Sequence, residues 1–305
     1  MLPPIHRRDF LAGTAAAGAA VALSPASHAA PTAARPLNPV PKSPTDRVRL
    51  GDTGIEVSLI GIGTGSNGVN QASNQTKLGL KEFTRVIRHA FDSGIRFFDV
   101  ADQYGSHTYL REALKGIPRD QYAIQTKTHA RDYKEAKSHL ERYRMELGVD
   151  YVDTLLLHCM TTADWPEQNA GAMEYISEAK DQGLVRAHGT SCHGMDPLRT
   201  SARHPWVEVD LARVNPEGAV MDSADPADVT EQLRAMHDAG KGVIGMKICG
   251  NGQFKEPERR DASLRFVFSL GFVDAIVVGL ESPAQIDDLL ARAETALDFA
   301  RTQRA

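Results

Sequence analysis

Cysteine is scarce in this chain of 305 residues: Cys159, Cys192 and Cys249 are the only three, so they cannot all pair with one another and no disulfide framework carries the fold. Aromatic residues are few as well, at 6%. Basic residues are in deficit, 35 against 39 acidic, which leaves a formal charge of −4 and no positive bulk surface to attract nucleic acid. A bilayer span needs about 20 apolar residues; the uncharged stretch from Leu11 to Leu23 is too short and consists mostly of Ala and Gly. What remains, 42% apolar and 24% charged with 25 glycines and 16 prolines, is the composition of an ordinary soluble globular protein rather than a disordered or collagen-like one.

The first 45 residues, crowded with Ala and Pro, are unlike the rest. Arg7-Arg8 precede Phe10 and Leu11, then comes the uncharged stretch, then small residues, which is the charged, apolar, cleavable order of an export signal. Arg7-Arg8-Asp9-Phe10-Leu11 closely resembles a twin-arginine (Tat) signal, which carries already folded proteins. Ser27-His28-Ala29 offers small residues at the two positions a signal peptidase reads, so cleavage is expected after Ala29, with the Tat translocon as export partner and a periplasmic or otherwise exported mature protein. Residues 30–46 hold five prolines and read as an extended linker. Folded structure is expected from Arg47, so the organisation is signal 1–29, linker 30–46 and one domain over 47–305.

That domain opens with two β-rich runs around Gly51-Asp52-Thr53-Gly54, a hairpin signal. Apolar strands and amphipathic helices then alternate. Phe83, Val86, Ile87, Ala90 and Phe91 share one helical face before Gly94; a short helix is expected near Tyr109–Leu114; Ala136, Leu140, Tyr143 and Leu147 share another face before Gly148. A helix follows at about Glu167–Gln182, another near Pro197, and the last runs from Pro283 to about Arg301. Eight strand–helix units from Val57 onward predict an α/β fold, a (β/α)₈ TIM barrel with an N-terminal β-hairpin. The competing doubly wound sheet would want a dinucleotide fingerprint. Gly63-Thr64-Gly65-Ser66-Asn67-Gly68 matches G-x-G-x-x-G literally, but a polar string follows instead of a helix and position 88 is an arginine. A flexible loop after the first barrel strand is the plainer reading.

In such a barrel the chemistry sits where strands end. Those ends supply Asp99 in FFDVADQYG, Lys127 in IQTKT and His158 in LLLHC, with Tyr104 five residues after Asp99. A tyrosine with an ordinary pKa of about 10 is a poor acid at neutral pH. A neighbouring lysine cation is expected to lower it, an aspartate to hold the lysine charged, and a neutral histidine to donate to a carbonyl oxygen. Such a set can protonate an oxygen while hydride arrives at carbon.

From about Arg47 to Arg301 the sequence resembles the aldo-keto reductase superfamily. FFDVADQYG is similar to its F-D-T-A-x-x-Y-G signature, QTK to its strand-three lysine, LLLH to its strand-four histidine, and GTSCHG to its G-[VI]-S-N. The finer strings HCMTTADW, ARVNP and GKGVIGMK look most like a subgroup of uncharacterised aldo-keto reductases. The resemblance implies an NAD(P)(H)-dependent oxidoreductase interconverting a carbonyl (aldehyde, ketone or sugar-like) and an alcohol. Tyr104 would be the general acid/base, Lys127 and Asp99 would tune it, and His158 would orient the carbonyl. It places cofactor contacts at Ser191, at Cys192 in place of asparagine, at Arg213 or Asn215 for the strand-six glutamine, and at Met246 or Lys247 for the strand-seven aromatic. Gly279, Leu280, Ser282 and Gln285, with Glu281 close by, stand where many members grip a 2′-phosphate. The usual cations are missing there, so the cofactor is NADP or NAD. An exported nicotinamide enzyme would carry its cofactor out tightly bound.

The last helical pattern ends near Arg301, and the loop Cys159–Pro166 has Trp165 as its large aromatic, so an open mouth is expected for a small carbonyl or alcohol substrate. Cys159, Cys192 and Cys249 follow three strand ends beside His158 and His193, but none has C-x-x-C spacing. Packing is favoured over a metal site. Two other classes stay open, a non-catalytic binding or regulatory barrel with a weakened cofactor site, and a metal-dependent lyase or isomerase built on the Cys/His residues.

Overall fold

Eight strands, each followed by a helix, close on themselves in the computed structural model, which describes residues 34–304. The twin-arginine segment and the cleavage position after Ala29 lie outside the described residues. The strands β1 (Arg47–Arg49) and β2 (Glu56–Ser58) form the expected antiparallel hairpin, with Arg47 opposite Ser58. The barrel strands are β3 (Ile60–Gly63), β4 (Phe97–Asp99), β5 (Ala123–Thr128), β6 (Val152–Met160), β7 (Val185–Cys192), β8 (Val209–Arg213), β9 (Gly242–Met246) and β10 (Ala275–Gly279). They run parallel, each beside its successor, and β10 returns to β3.

Every central strand is buried on both faces, and the period of two sorts its side chains between two cores. Phe97, Ala123, Leu156, Ala187, Val209, Leu211, Ile244, Ala275 and Val277 fill the barrel interior. Ile60, Ile62, Phe98, Ile124, Leu155, Leu157, Ala212 and Val243 face the helices. Gly61 belongs to the inward set, and a Cβ there would press on the Phe97 ring. The hairpin adds Leu50, Ile55 and Val57 to the interior cluster, so it stoppers the end of the barrel opposite the strand C-termini.

The helices bury the stripes their spacing predicts. Helix α2 (Leu80–Asp92) turns in Phe83, Val86, Ile87 and Ala90, and it follows the single turn α1 (Asn74–Lys77). Helix α3 (His107–Ala113) comes next. Helix α4 (Tyr133–Leu147) buries Ala136, Leu140, Tyr143 and Leu147, is capped by the Asp132 carboxylate and stops at Gly148 with φ +67°. The single helix expected over Glu167–Gln182 is two, α5 (Trp165–Gln168) and α6 (Ala170–Asp181). They meet at buried Asn169, whose backbone bends away from helical values (φ −115°, ψ 17°) and whose side-chain amide and backbone N–H both donate to the Trp165 carbonyl, at 2.7 and 3.0 Å. Trp165 is buried, its ring 5.3 Å from His204 and 6.3 Å from Trp206. The remaining helices are α7 (Met195–Arg203), α8 (Pro226–Asp238), α9 (Pro257–Leu270) and α10 (Pro283–Arg304).

The packed body starts at Arg35 rather than near Arg47. Pro-rich segments lack N–H donors but keep their carbonyls, and here the carbonyls are used: Arg301 donates to Pro41 O at 2.6 Å and Arg304 to Asn38 O at 2.7 Å. Among the described residues, no helix is long and apolar enough to cross a membrane.

Candidate active site

The inward alternation that places Phe97 in the barrel also turns Asp99 inward one layer higher, and the same count brings Lys127, His158, Ser191 and Arg213 to that layer from β5 to β8. Tyr104 joins them from a 3₁₀ turn, Asp102–Tyr104, just past β4. Lys127 Nζ lies 2.5 Å from Asp99 Oδ1 and 3.1 Å from Val100 O. Gln125, two residues before Lys127 and therefore on the same face, donates to Asp99 Oδ1 at 2.8 Å and accepts from Thr154 at 3.1 Å. Lys127 Nζ also sits 4.9 Å from the centre of the Tyr104 ring. The Tyr104 hydroxyl is 3.4 Å from His158 Nε2, the two rings meeting edge to face. His129 stacks on the other side of His158 at 4.6 Å. Gln125 and His129 were missed in the sequence, although each lies two residues from Lys127.

Burial governs the protonation of this set. Burial pushes the Tyr104 phenol well above its ordinary pKa, and the Asp99 carboxylate and Cys159 push the same way. The expected lowering by Lys127 does not prevail in the free site, because burial and the Asp99 carboxylate that pairs with the ammonium act against it. Burial also lowers Lys127, opposed by its bond to Asp99. His158 is held well below the usual imidazole range, first by burial and then by Lys127, His129 and His193. At neutral pH the site thus presents a neutral phenol beside a neutral imidazole. Buried His158 Nδ1 has no partner. A buried lone pair costs less than an orphaned N–H, which assigns the ring proton to Nε2, facing Tyr104.

The glycine-rich loop after β3 is a cradle rather than a loose connection. A Cβ at Gly65 or at Gly68 would run into the Tyr104 ring. The loop is pinned by Gln75, which accepts from Ser66 N at 3.0 Å and donates to Ser66 Oγ at 2.9 Å.

From Asp99 and Tyr104 a cleft of about 500 Å³ runs outward between the ends of β9 and β10. Gly63, Gly65 and Gly279 expose backbone along it; Met246, Lys247, Leu280, Glu281 and Gln285 line it; Lys255, Arg260 and Arg292 reach it from the α9 and α10 side. Arg260 has a buried Nε without a partner and an Asp288 carboxylate 3.8 Å away. These three cations were not foreseen, because they arrive from the α9 side and from farther along α10 and not from the loop after β10. Ser282 accepts from Gln285 N at 3.3 Å at the head of α10. Ser191 faces inward but accepts from Cys159 N at 3.3 Å, next to an irregularity in the β6–β7 register.

Two of the expected contacts are not brought to the mouth. Cys192 is one residue past Ser191, so the alternation turns it outward; it is fully buried beneath α7, with Ser201 Oγ at 3.2 Å. Asn215 spends its side chain on loop backbone, donating to Ala219 O and Lys247 O and accepting from Glu217 N and Ala219 N. Arg213 faces inward and is paired with Asp222.

Comparison with known proteins bears on the family and the fold. The family model described as "Aldo/keto reductase family" matches residues 59–266, and a model of twin-arginine translocation signal sequences matches residues 4–24. The chain is 32% identical over 224 residues to the Glycine max protein named "Probable aldo-keto reductase 1", a match covering 68% of this chain and 60% of that protein. It is 24% identical over 284 residues to L-galactose dehydrogenase of Arabidopsis thaliana, covering 79% and 86%. The holo form of an aldo-keto reductase from Bacillus halodurans superposes with a TM-score of 0.66 at 16% identity, over 84% of this chain and 96% of that one.

Proposed function

Because this chain belongs to the aldo/keto reductase family, we propose that it is a nicotinamide-dependent oxidoreductase that reduces an aldehyde, ketone or sugar-like carbonyl at Tyr104. The observation that carries the reading is the pairing of the Tyr104 hydroxyl with His158 Nε2 at 3.4 Å, with the Lys127–Asp99 pair behind it and the cleft beginning beside it.

The cleft residues fit a dinucleotide. Glycine backbone along the floor permits close approach, the cations at the far end meet phosphate charge, and the orphaned Arg260 Nε is a donor awaiting an acceptor. Met246, Gly279 and Gln285 would hold the cofactor, with Ser66 and Asn67 on the loop side and Lys255, Arg260 and Arg292 outward. Both cofactors have support, since Glu281 suits a free ribose diol and the cations suit an added phosphate. When bound, the nicotinamide supplies the hydride. Tyr104 donates its phenolic proton to the carbonyl oxygen as charge develops there, and His158 Nε2–H donates a second hydrogen bond to that oxygen. Lys127, fixed by Asp99 and Val100 O, is the cation that compensates the phenolate left behind. Burial keeps the phenol protonated at neutral pH, so Tyr104 carries the proton that reduction consumes.

The test is fluorescence titration with NADH and NADPH together with turnover of an aldehyde panel. Saturation and turnover support the reading; saturation by neither cofactor would favour a binding barrel instead. The twin-arginine match carries a second part of the proposal: export to the periplasm with cleavage after Ala29, the cofactor loaded before transport and retained. Denaturing protein purified from the exported fraction should release NAD(H) or NADP(H), and an empty supernatant would refute retention.

A further inference from the structure

Beyond the tetrad, the mouth carries cations that the reaction does not use. Arg213 closes β8 and Lys247 follows β9, and they are neighbours across the sheet: Arg213 is in register with Met246, and Val214 N donates to Met246 O at 3.0 Å. Lys127 has a carboxylate of its own. Lys247 does not: the residue is half-buried, its Nζ donates at the exposed end to the neutral Asn251 Oδ1 at 2.9 Å, and no carboxylate among the described residues forms an ion pair with it. Arg213 shares one oxygen of Asp222 with the Gly194 amide at 2.5 Å, while its own Nε and the second Asp222 oxygen are both buried without a partner.

The backbone holds this arrangement at a cost. Lys247 and Asn251 both adopt left-handed conformations, φ +59° and +55°; asparagine tolerates this region, whereas a lysine there is strained. Strain of that kind gathers at ligand clamps. The surroundings also disfavour the cation: burial first, then Arg213, lowers the pKa of Lys247. Burial first, and then the same two residues, hold His193, 3.6 Å from Cys159 Sγ, at a pKa of about 4, so the nearby imidazole stays neutral and adds no charge. A strained lysine with no carboxylate partner, next to an arginine whose one carboxylate oxygen is shared, is a place where an anionic group would be stabilised.

We propose that Arg213 and Lys247 hold an anionic group, a carboxylate or a phosphate, on the carbonyl substrate, so that the substrate class is anionic aldehydes or ketones. The two residues, placed by family resemblance among the cofactor contacts, are thereby assigned to the substrate. The inference rests on the reading of Tyr104 as the proton donor.

The experiment compares kcat/KM for 4-carboxybenzaldehyde against neutral 4-carbamoylbenzaldehyde, and for glyceraldehyde 3-phosphate against glyceraldehyde, in the wild type and in Lys247→Met. The wild type should prefer the anionic member of at least one pair by about ten- to a hundredfold, as charge-assisted hydrogen bonds predict, and the pair concerned tells carboxylate from phosphate. Lys247→Met should bring that ratio close to one. Turnover of all four without preference, or a ratio unmoved by Lys247→Met, overturns the anion site and leaves the oxidoreductase reading standing. Turnover of none counts against that reading instead. Calorimetric titration with benzoate and inorganic phosphate, with benzamide as the neutral control, then decides: saturable binding lost in Lys247→Met supports the site, and absence of binding overturns it. If Lys247→Met weakens NADH or NADPH binding as much as it raises KM, the anion belongs to the cofactor and the substrate assignment falls.

Discussion

The phenol of Tyr104 is held between Gly65 and Gly68 on one side and His158 and Lys127 on the other. Gly65→Ala puts a methyl where the ring lies. It should therefore displace the hydroxyl and lower kcat by about a hundredfold, the scale of a 1 Å misplacement, with the circular dichroism spectrum retained. An unchanged kcat would show the loop yielding instead. A second residue acts on stability. Asp210 is fully buried, with Thr190 donating to Oδ2 at 2.7 Å and Oδ1 unpartnered, and burial raises its pKa from 3.8 to about 7. Between those values the folded chain holds a proton that the unfolded chain has lost, so this group's contribution to stability falls as pH rises from about 4 to 7. Asp210→Asn should flatten that decline and raise Tm at pH 8, at about 2–4 °C for each kcal/mol recovered. Melts at pH 5 and 8 check it, and equal slopes in both proteins would contradict it.

At the scale of elements, the turn that carries Tyr104 is tied to α4. Arg142 grips Asp102 through both oxygens at 2.8 and 2.9 Å, and it reaches Glu146 at 3.0 Å. The Arg142 guanidinium and Gln71 hold the Asp102 carboxyl down at about 2 against the opposing effect of burial, so this tie is in place above about pH 4 and is lost as pH falls through 2. Arg142→Ala frees the turn. A partly exposed pair contributes about 1 kcal/mol or less to stability, so kcat should fall about tenfold while Tm moves little; a large fall in Tm with kcat unchanged would assign Arg142 to folding alone. Strands and helices were readable at this scale because burial imposes a period. Phe83, Val86, Ile87 and Ala90 could face only the barrel, and Asp99, Lys127 and His158 could end only inward-facing strands. The same period, applied one residue further, turns Cys192 out of the mouth beside inward Ser191. The break at Asn169 and the docking of the glycine loop on Tyr104 had no such pattern. They depend on a backbone bend at one residue and on contacts between residues about 40 positions apart, which no local count reveals.

For the whole molecule, the closed barrel leaves chemistry at one end and stability at the other. Residues 35–46 belong to the packed body: Asn38 bonds Asp274 at 2.6 Å, His237 Nε2 lies 3.0 Å from Pro36 O, and α10 donates to Asn38 O and Pro41 O. A chain starting at Arg47 should melt several degrees below one starting at Arg35, since each lost hydrogen bond costs about 1 kcal/mol; equal melting points would make the segment a passive tether. The cations of the cleft were invisible to a reading by family position, because Arg260 and Arg292 come from helices that the barrel brings together and not from the loop after β10. The central claim is proton donation by Tyr104 during carbonyl reduction. Its most direct test is Tyr104→Phe, with turnover and cofactor affinity measured on the same folded protein. Turnover should fall by at least about a thousandfold while NAD(P)H affinity holds; turnover within about tenfold of the wild type would contradict the account.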